Sequence, residues 1–395
     1  MNRNYEYYAR IIKGRPLPCA FIDLDYLQEN IQQIVRRAGT KRIRPGTKAI
    51  RSIEILRRIG ASDPKFSGWM CYSAAEAVYL SRNGFDDLFL PYPVYQPQQL
   101  RDVCAEIKKG KRLTLAFDSA AHLAQYQSIA AQEHAVLPVC LDIDVASRFP
   151  LLHFGVRWSH VRTHDQIRAL VRTVKECANL TLSGVIAYEA QIAGLPDRLP
   201  GHQLQNRVAR ALKRISQSSI TRLRREVVQI IADSGIELSF VNAGGTASLE
   251  LTAADPCVTE LTPGSGFFGP ALFDHYTGLT LRPAAAYAIE VTRKAPGYLV
   301  CHGGGYNAPG VCDASRSPVP YLPEGIKLTA AEGAAEVQTP MTYAGPETIE
   351  LGDPIFLRPS TAGILAEHFN ELLLISNGAT VGVATTYRGA GMCFV

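Results

Sequence analysis

A lysine that directly follows a Pro-Gly break is the first candidate for chemistry in this chain. Residues 41–52 read KRIRPGTKAIRS, and the break at Pro45-Gly46 interrupts regular pairing, so that the Lys48 side chain can point into a site. A lysine used as a Schiff-base nucleophile must lose its proton near neutral pH, and neighbouring cations favour that loss. The cations nearest in sequence are Arg42, Arg44 and Arg51. The alternative interpretation is an ordinary solvated basic stretch.

Two glycine clusters stand where an anion would bind. Gly244-Gly245-Thr246 and Gly264-Ser265-Gly266 each end a short apolar run. Backbone N–H groups and Thr or Ser hydroxyls in such turns suit a phosphate, although each cluster alone is also typical of a plain turn. Their similar placement favours one shared phosphate site. A third cluster, His302–Tyr306, precedes no helical pattern, so it indicates a turn.

Apolar runs and helical patterns alternate through the first 275 residues. Candidate strands lie at 19–25, up to Lys48, and at 66–71, 87–93, 113–118, 136–144, 182–189 and 238–246, with a further strand or a closing turn at 259–266. About eight β–α repeats in about 250 residues predict a (β/α)8 TIM-type barrel, with a doubly wound sheet as the alternative. Several strands end on polar residues at what would be the active face: Asp25, Lys48, Asp144, Tyr188-Glu189 and Gly244–Thr246.

The composition and periodicity of the sequence change near residue 277. Helical periodicity fades, Pro, Gly and Thr become frequent, and short β-like runs follow one another, as at 286–291 and 372–375. We therefore predict two domains: a barrel over 18–275 and a C-terminal, mostly β domain over 276–395. Residues 1–17 are expected to pack with the β domain.

Composition narrows the classes of protein. The 395 residues carry 41 Lys and Arg against 36 Asp and Glu, a net charge of +5. The basic peak at 207–225 has helical spacing without interleaved aromatic residues, so we interpret it as a solvated helix face and expect no nucleic-acid partner. Nine dispersed cysteines indicate reduced thiols and a cytoplasmic location. No apolar run approaches the length of a spanning helix, so no membrane association is expected.

In their order along the chain, these motifs resemble the fold-type III, alanine-racemase-like pyridoxal-phosphate enzymes. The segment Ile22–Ile31, followed by a lysine at a strand end, is similar to the N-terminal part of sequences in that family. Within it the chain resembles the D-threonine aldolase/D-serine dehydratase branch, and most closely the relatives usually labelled amino acid deaminase/aldolase. The resemblance covers nearly the whole chain and rests on Arg44–Ser52, Asp87–Val94, Ile186–Gly194, Val241–Glu250, Gly264–Phe273, Gly333–Pro340 and Thr386–Gly389.

The resemblance implies pyridoxal 5'-phosphate as cofactor and Lys48 as the lysine that holds it. It implies phosphate contacts from Thr246, Gly264 and Ser265, with Gly245 and Gly266 shaping the turn, and Tyr188 beside the cofactor ring. His153 falls where the family commonly places an arginine near the phenolic oxygen of the cofactor, with Arg157 as a nearby alternative. Structural roles are the alternative for His153 and Tyr188. A homodimer and a small amino acid substrate are also implied.

One departure from the branch concerns metal. Its aldolases and dehydratases carry a His-x-Cys or His-x-Asp pair before their last strands, and the matching positions here are Thr361 and Gly363. Neither is a ligand for zinc or manganese, so no metal is expected. Glu367 and His368 lie close by at a different spacing. Without the metal, His153 or Glu189 is the candidate for the acid–base role.

Three functions remain open from the sequence. The first is a lyase on a β-hydroxy-α-amino acid of D configuration that performs retro-aldol cleavage or dehydration. The second is a racemase or epimerase that pairs Lys48 with a tyrosine of the β domain. Its candidates are Tyr306, Tyr343 and Tyr387. The third is a phosphate-ligand-binding barrel without lyase chemistry.

Overall fold

This computed structural model describes residues 3–150, 152–310 and 314–394. Strands occur throughout these ranges. In chain order the strands are β1 Cys19–Asp23, β2 Arg42–Ile43, β3 Trp69–Met70, β4 Leu88–Leu90, β5 Leu113–Phe117, β6 Leu137–Asp142, β7 Ser147–Phe149, β8 Leu152–Phe154, β9 Leu180–Ile186, β10 Phe240–Ala243, β11 Glu260–Leu261, β12 Ala285–Ala295, β13 Tyr298–His302, β14 Val319–Leu322, β15 Lys327–Leu328, β16 Gln338–Thr342, β17 Pro354–Arg358, β18 Glu371–Ser376 and β19 Ala379–Thr385.

Helices form where apolar residues recur at helical spacing. They are α1 Tyr5–Ile12, α2 Leu24–Arg37, α3 Ile53–Gly60, α4 Ala74–Arg82, α5 Pro97–Lys108, α6 Ala120–Gln132, α7 His164–Glu176, α8 Ala190–Ala193, α9 Gln203–Asp233, α10 Leu249–Ala253 and α11 Ile364–His368, with 3-10 turns at Thr47–Ala49, Ser265–Phe267, Ala271–His275 and Ala314–Arg316. Ser73 caps α4, because its Oγ accepts the Glu76 N–H at 3.2 Å while the Glu76 carboxylate accepts the Tyr72 N–H.

Two compact units divide the chain. The first takes in the chain up to Gln33, Ala49–Arg58 and Ser265–Cys393; the second takes in Ile34–Lys48, Ile59–Gly264 and the C-terminal Phe394. This division groups contacts and does not test which segments fold alone. The domain limits 18–275 and 276–395, and the packing of residues 1–17 with the β domain, therefore stay predictions.

The second unit is built on eight parallel strands, in the order β2-β11-β10-β9-β6-β5-β4-β3. The two end strands meet through parallel bridges that join Ile43 to Phe66 and Gly46 to Met70, so the sheet closes on itself. The prediction of a (β/α)8 barrel is confirmed, and the doubly wound alternative is wrong, because an open sheet has no such closure. The stretch at 259–266 supplies β11, the eighth strand.

The barrel interior is filled by side chains that alternate with outward-facing ones. Phe89, Ala116, Cys140, Ile186 and Phe240 form a buried cluster, one from each of five successive strands, and Met70 and Tyr188 pack against it. Because side chains of a strand alternate between faces, the residues two positions further along also point inward. They stand one layer closer to the carboxyl ends of the strands, which we call the barrel mouth.

The prediction that residues 19–25 open the barrel is wrong. A strand does form over Cys19–Asp23, but it pairs with β12 and β18 in a nine-stranded sheet of the first unit. An apolar run followed by an amphipathic helix is the signature of any β–α step. The run itself does not encode which sheet receives it, and a central position in either sheet buries both of its faces.

The nine-stranded sheet confirms the predicted mostly β region. Its main path runs β15-β16-β13-β12-β1-β18-β19, with β14 and β17 joined to it through β12. Most of its neighbouring pairs are antiparallel; β1 and β18 run parallel. None of the helices in the described ranges combines the length and the apolar character that crossing a bilayer requires.

Candidate active site

Lys48 lies in a 3-10 turn, Thr47–Ala49, that follows the first barrel strand. The turn is fixed to the neighbouring strand, because the buried Thr47 hydroxyl donates to the Met70 carbonyl at 3.0 Å and Met70 N–H donates to Pro45. The Lys48 side chain is exposed, and its Nζ lies 5.9 Å from the centre of the Tyr92 ring. A rigid turn thus presents an accessible primary amine at the barrel mouth.

The structure changes the interpretation of the neighbouring cations. Arg44 is buried, and its guanidinium binds the Glu260 carboxylate at 2.7 and 3.0 Å and Asp87 at 3.0 Å. Its charge is therefore offset by two carboxylates. Arg51 pairs with Glu367. Arg44 and Arg51 thus each have an anionic partner of their own, and their predicted influence on the Lys48 amine stays a prediction.

Four predicted site positions follow strands that are neighbours in the barrel. Lys48 follows β2, Gly264 follows β11, Thr246 follows β10 and Tyr188 follows β9. The loops touch, because Gly46 N–H donates to the Pro263 carbonyl at 2.9 Å. Parallel strands bring their carboxyl ends to one edge, so the barrel collects a lysine, two glycine turns and a tyrosine in one sector of its mouth.

The Gly244-Gly245 turn departs from the predicted role of its backbone. Gly244 N–H donates to Glu189 at 3.3 Å, and Gly245 N–H donates to the Ser248 hydroxyl at 3.0 Å. These two N–H groups therefore donate to acceptors within the protein and are not available to an anion. The glycines instead make room: Gly244 has a φ of +79°, and a Cβ on Gly245 would lie 3.2 Å from the Tyr188 hydroxyl and ring.

Tyr188 has the surroundings of a ring-binding residue. It packs against the buried barrel cluster and stacks on Trp158, with ring centres 6.2 Å apart and planes at 13°. Trp158 itself is 64% exposed, so its large aromatic surface is displayed at the mouth. The sequence analysis missed Trp158, and only its aromatic character in a polar loop could have drawn attention to it.

Glu189 has a structural role rather than the predicted acid–base role. The residue is buried, and its oxygens accept hydrogen bonds from Arg224, Ser248, Thr252 and the Gly244 N–H. Burial opposes the charged form, but the Arg224 charge and these donors outweigh it and hold the Glu189 pKa below its usual range. A carboxylate this well satisfied does not exchange protons with a substrate.

His153 lies on the hairpin β7–β8, which follows the fifth barrel strand, β6. Its Nε2 is 3.2 Å from the Val156 carbonyl, within its own turn. The two ends of the hairpin lie close together, because a Cβ on Gly155 would lie 2.5 Å from the side chain of Ala146, which directly precedes β7. Arg157, the alternative, is exposed. The structure places His153 on the side of the mouth next to Tyr188 in strand order, and its catalytic role stays a prediction.

Ser265 and Gly266 belong to the first unit, where they begin the 3-10 turn Ser265–Phe267 directly after Gly264. The turn is closed by hydrogen bonds from the Phe268 and Gly269 N–H groups to the Ser265 carbonyl. The racemase candidates lie in the same unit. Tyr306 stacks on His368, Tyr343 binds Glu347, and the Tyr387 N–H donates to Arg51.

Two interior carboxylates escaped the sequence analysis as site residues. Ala116 and Cys140 are paired neighbours in the barrel cluster, so Asp142, two positions beyond Cys140 and still within β6, points inward at the mouth, and Asp118 directly follows the neighbouring β5. Asp118 lies 3.0 Å from His122 Nδ1. Burial, with the charges of Asp118 and Asp144, raises the pKa of Asp142 to about 7. The sequence feature that could have identified them is a carboxylate two positions beyond an interior residue on each of two adjacent strands.

This carboxyl makes stability depend on pH. The ordinary pKa of 3.8 applies to the unfolded chain, so between about pH 4 and 7 the folded protein holds a proton that the unfolded chain lacks. The contribution of Asp142 therefore becomes less favourable as pH rises. We expect Asp142→Asn to raise the free energy of unfolding by about 1–2 kcal/mol more at pH 8 than at pH 5, measured by urea unfolding.

The matched control for this prediction is Asp165→Asn, which removes a carboxylate that is 98% exposed. It should change the free energy of unfolding equally at both pH values. An Asp142→Asn gain that does not depend on pH would show that the carboxyl is ionised in the folded protein at pH 5.

Comparison with known proteins decides the family. The family model described as "Alanine racemase, N-terminal domain" matches residues 22–271. The chain belongs to the alanine racemase N-terminal domain family. It is 24% identical to a D-threonine aldolase of Arthrobacter sp. over 377 residues, which cover 91% of this chain and 89% of that protein. The predicted recognition of the fold-type III family is confirmed.

Solved structures agree on the fold. D-threonine aldolase from Filomicrobium marinum superposes with a TM-score of 0.79 at 19% identity, covering 95% of each chain. D-threo-3-hydroxyaspartate dehydratase from Delftia sp. HT23 gives a TM-score of 0.75 at 19% identity, over 95% of this chain and 98% of the other. Both show that the barrel and the β sheet recur together in the alanine-racemase-like fold.

Enzymes of this family use pyridoxal phosphate, and pyridoxal phosphate is the cofactor of this chain. The residues present fit it. An exposed lysine, a glycine turn that a Cβ would crowd, and a stacked tyrosine follow strands β2, β10 and β9, in one sector of the mouth. The residue assignments themselves stay predictions.

The metal of the aldolase/dehydratase branch does not fit. Thr361 and Gly363 stand just before the short helix α11, and Gly363 has no side chain. Within the ranges that the structure describes, no three His, Cys, Asp or Glu residues are grouped so that they could hold a metal ion. The residues at the two matching positions therefore supply no carboxylate, thiolate or imidazole ligand.

Proposed function

We propose that this chain is a pyridoxal-phosphate-dependent lyase that acts on a β-hydroxy-α-amino acid of D configuration. The observation that carries the proposal is the similarity to D-threonine aldolase across 91% of the chain. The dehydratase with the same fold supports the wider class, because both named activities act on a hydroxy amino acid. Retro-aldol cleavage and dehydration are the two reactions within this class.

Lys48 is the proposed attachment point. When bound, the cofactor takes up the electron pair of the bond that breaks at Cα. Lys48 would hold the cofactor through its aldehyde, and its amine, when released, would hold or move a proton near Cα. The turn that carries Lys48 is tied to the next strand through Thr47, so the amine stays in place during this exchange.

The remaining proposed contacts orient the cofactor. Thr246, Gly264 and Ser265 would bind the phosphate, while Gly245 and Gly266 keep the turns free of side chains. Tyr188 would cover one face of the ring, supported from behind by Trp158. Orientation matters, because the way these residues would hold the cofactor and substrate decides which bond at Cα is placed to react.

The substrate β-hydroxyl requires a side chain that takes or gives a proton. In retro-aldol cleavage the hydroxyl loses its proton as the Cα–Cβ bond breaks, which yields glycine and an aldehyde. In dehydration the Cα proton and the hydroxyl leave as water, and hydrolysis then yields a keto acid and ammonia. His153 and Asp142 are the two candidates. Asp142 points into the mouth and has a pKa of about 7, which suits either direction of transfer.

Product analysis tests the proposal. The purified protein with pyridoxal phosphate is incubated with D-threonine, D-serine and D-threo-3-hydroxyaspartate, with the L isomers as controls. Glycine with an aldehyde indicates aldolase activity, and a keto acid with ammonia indicates dehydratase activity. Exchange of the Cα hydrogen with loss of optical activity and without fragmentation would favour the racemase. Cofactor binding without turnover of any of these would contradict the lyase.

Activity is expected to persist in a chelator, because Thr361 and Gly363 supply none of the usual metal ligands. We expect less than a twofold change in kcat/KM after dialysis against EDTA. Thr361→Val should likewise leave activity within about twofold. Loss of activity on chelation, restored by added Mn²⁺ or Zn²⁺, would contradict the interpretation of these two positions.

A cytoplasmic homodimer completes the proposal. All described cysteines are free, as in a reducing compartment. Dimerisation follows from the family resemblance. Light scattering of the purified protein at micromolar concentration should give twice the mass of one chain, and a monomer mass would contradict it.

A further inference from the structure

A buried ion pair stands directly behind the glycine turn. Arg224 comes from the long helix α9, and Glu189 follows the ninth strand, β9. Their side chains are 3% and 2% exposed. Arg224 lies within the basic peak that the sequence analysis treated as one solvated face. That interpretation is wrong for Arg224, because the side chain turns inward and binds Glu189, Asp255 and the Ala187 carbonyl.

Glu189 joins this ion pair to the turn. One oxygen accepts the Ser248 and Thr252 hydroxyls, and the other accepts Arg224 and the Gly244 N–H. We call Glu189, Arg224, Ser248 and Thr252 the Glu189 network. Hydrogen bonds to a buried charged group are stronger than neutral ones, so the network has few alternative arrangements.

Ser248 is the member that reaches the turn twice. Its hydroxyl donates to Glu189 at 2.6 Å and accepts the Gly245 N–H at 3.0 Å, and its own N–H donates to the Gly245 carbonyl at 3.0 Å. Both sides of Gly245 are thereby held. The peptide orientation of the turn, and with it the placement of Thr246, depends on one buried hydroxyl.

We infer that the Glu189 network positions the Gly244-Gly245-Thr246 turn for the phosphate of the cofactor, with Ser248 as the residue that transmits the constraint. The inference rests on the proposed phosphate role of this turn. These residues are positioning residues, since Glu189, Arg224 and Ser248 are buried and face the turn from behind. Their effect should therefore appear in the recognition of the phosphate and not in recognition of the pyridine ring.

The chain offers a matched pair of variants. Ser248→Ala and Thr252→Val each remove one hydroxyl that donates to the same Glu189 oxygen, and the two residues are 1% and 2% exposed. Only Ser248 also accepts the Gly245 N–H. A purely structural role predicts similar effects for the two variants, whereas a positioning role predicts an effect mainly for Ser248→Ala.

The experiment compares the affinity of each protein for pyridoxal phosphate and for pyridoxal, which lacks the phosphate, by absorbance titration. We expect Ser248→Ala to weaken pyridoxal phosphate binding about five- to tenfold and pyridoxal binding less than twofold. Thr252→Val should change both by less than about twofold. Equal losses for the two ligands, or equal losses in the two variants, would overturn the inference.

Two controls separate the possible failures. If wild-type protein binds pyridoxal phosphate no better than pyridoxal, the phosphate role of the turn is wrong, and the positioning role with it. If wild type prefers the phosphate and Ser248→Ala keeps that preference, only the positioning role is wrong. Should Ser248→Ala not fold, Ser248→Thr retains the hydroxyl, and Glu189→Gln keeps one acceptor for the turn; Glu189→Gln is then expected to reduce the preference, and an unchanged preference would overturn the inference.

Discussion

Replacing Lys48 with arginine is expected to abolish turnover, with kcat lowered by about 10³-fold or more. Arginine keeps the positive charge but stays protonated at neutral pH, so it offers no nucleophilic nitrogen to the cofactor aldehyde. Lys48→Ala should behave in the same way and should also remove the absorbance of covalently held cofactor. The measurement is product formation from the best substrate, with cofactor absorbance recorded on the same samples.

Lys108→Arg is the matched control, because Lys108 lies partly exposed on α5 and pairs with Glu133. This variant should retain wild-type kcat within about twofold. Lys48→Arg protein that kept more than a tenth of the wild-type rate would contradict the assignment. Since the Lys48 side chain is exposed, neither substitution should lower the free energy of unfolding appreciably.

Arg44→Met is expected to cause the largest loss of stability, about 3–5 kcal/mol in the free energy of unfolding. Arg44 is 2% exposed, and its removal leaves the Glu260 carboxylate, 1% exposed, with only the more distant Arg42 guanidinium at 3.9 Å as a counter-charge. Asp87 loses its shorter ion pair as well and keeps Arg112 at 3.9 Å. Arg44 precedes the turn of Lys48 by a few residues, so the same substitution should also loosen that turn. Urea unfolding followed by circular dichroism measures the stability.

The cost is attributed to the stranded charge, and a second substitution tests that attribution. Arg44→Met combined with Glu260→Gln removes both charges and should recover about 1–2 kcal/mol of the loss. Arg112→Met serves as the surface control, because Arg112 and Asp86 form an exposed pair that contributes less than about 1 kcal/mol. A double variant no more stable than Arg44→Met would show that lost packing, and not the buried charge, dominates.

The barrel could be predicted because its signal repeats. Short strands alternate with helices along the chain, and the alternation recurs from β2 through to β11 Glu260–Leu261. The assignment of Cys19–Asp23 failed because local pattern determines the element but not its sheet. Pairing with β12 and β18 depends on residues more than 250 positions away. No periodicity within the segment carries that information.

The residues of the candidate site likewise fall into those that the local sequence predicts and those that it does not. Lys48, Thr246 and Tyr188 could be located because each stands at a strand end in a recognisable local motif. The roles of Arg44 and Arg224 could not be predicted, because a cation in a basic stretch gives no sign that a distant carboxylate buries it. Both guanidiniums are enclosed by partners from other barrel segments, Glu260 and Glu189. A count of basic residues in the sequence therefore overestimates the positive charge at the mouth, because carboxylates offset part of it.

The backbone N–H groups of the glycine turn also differ from what the sequence suggests. Glycine-rich turns suggest free N–H groups, yet those of Gly244 and Gly245 are taken by Glu189 and Ser248. Their acceptors are not glycine-rich or otherwise marked in sequence. The inward register of Asp142, by contrast, follows from its separation of two residues from Cys140, and it becomes visible once the interior face of β6 is known.

The central claim is that Lys48 holds pyridoxal phosphate, and borohydride reduction of the purified protein with its cofactor tests it most directly. Reduction fixes the cofactor on the lysine that carries it, and peptide mass mapping then locates the label. The account predicts one stoichiometric phosphopyridoxyl label, on the peptide that contains Lys48. A label on another lysine, or none at all on protein that turns over its substrate, would contradict it.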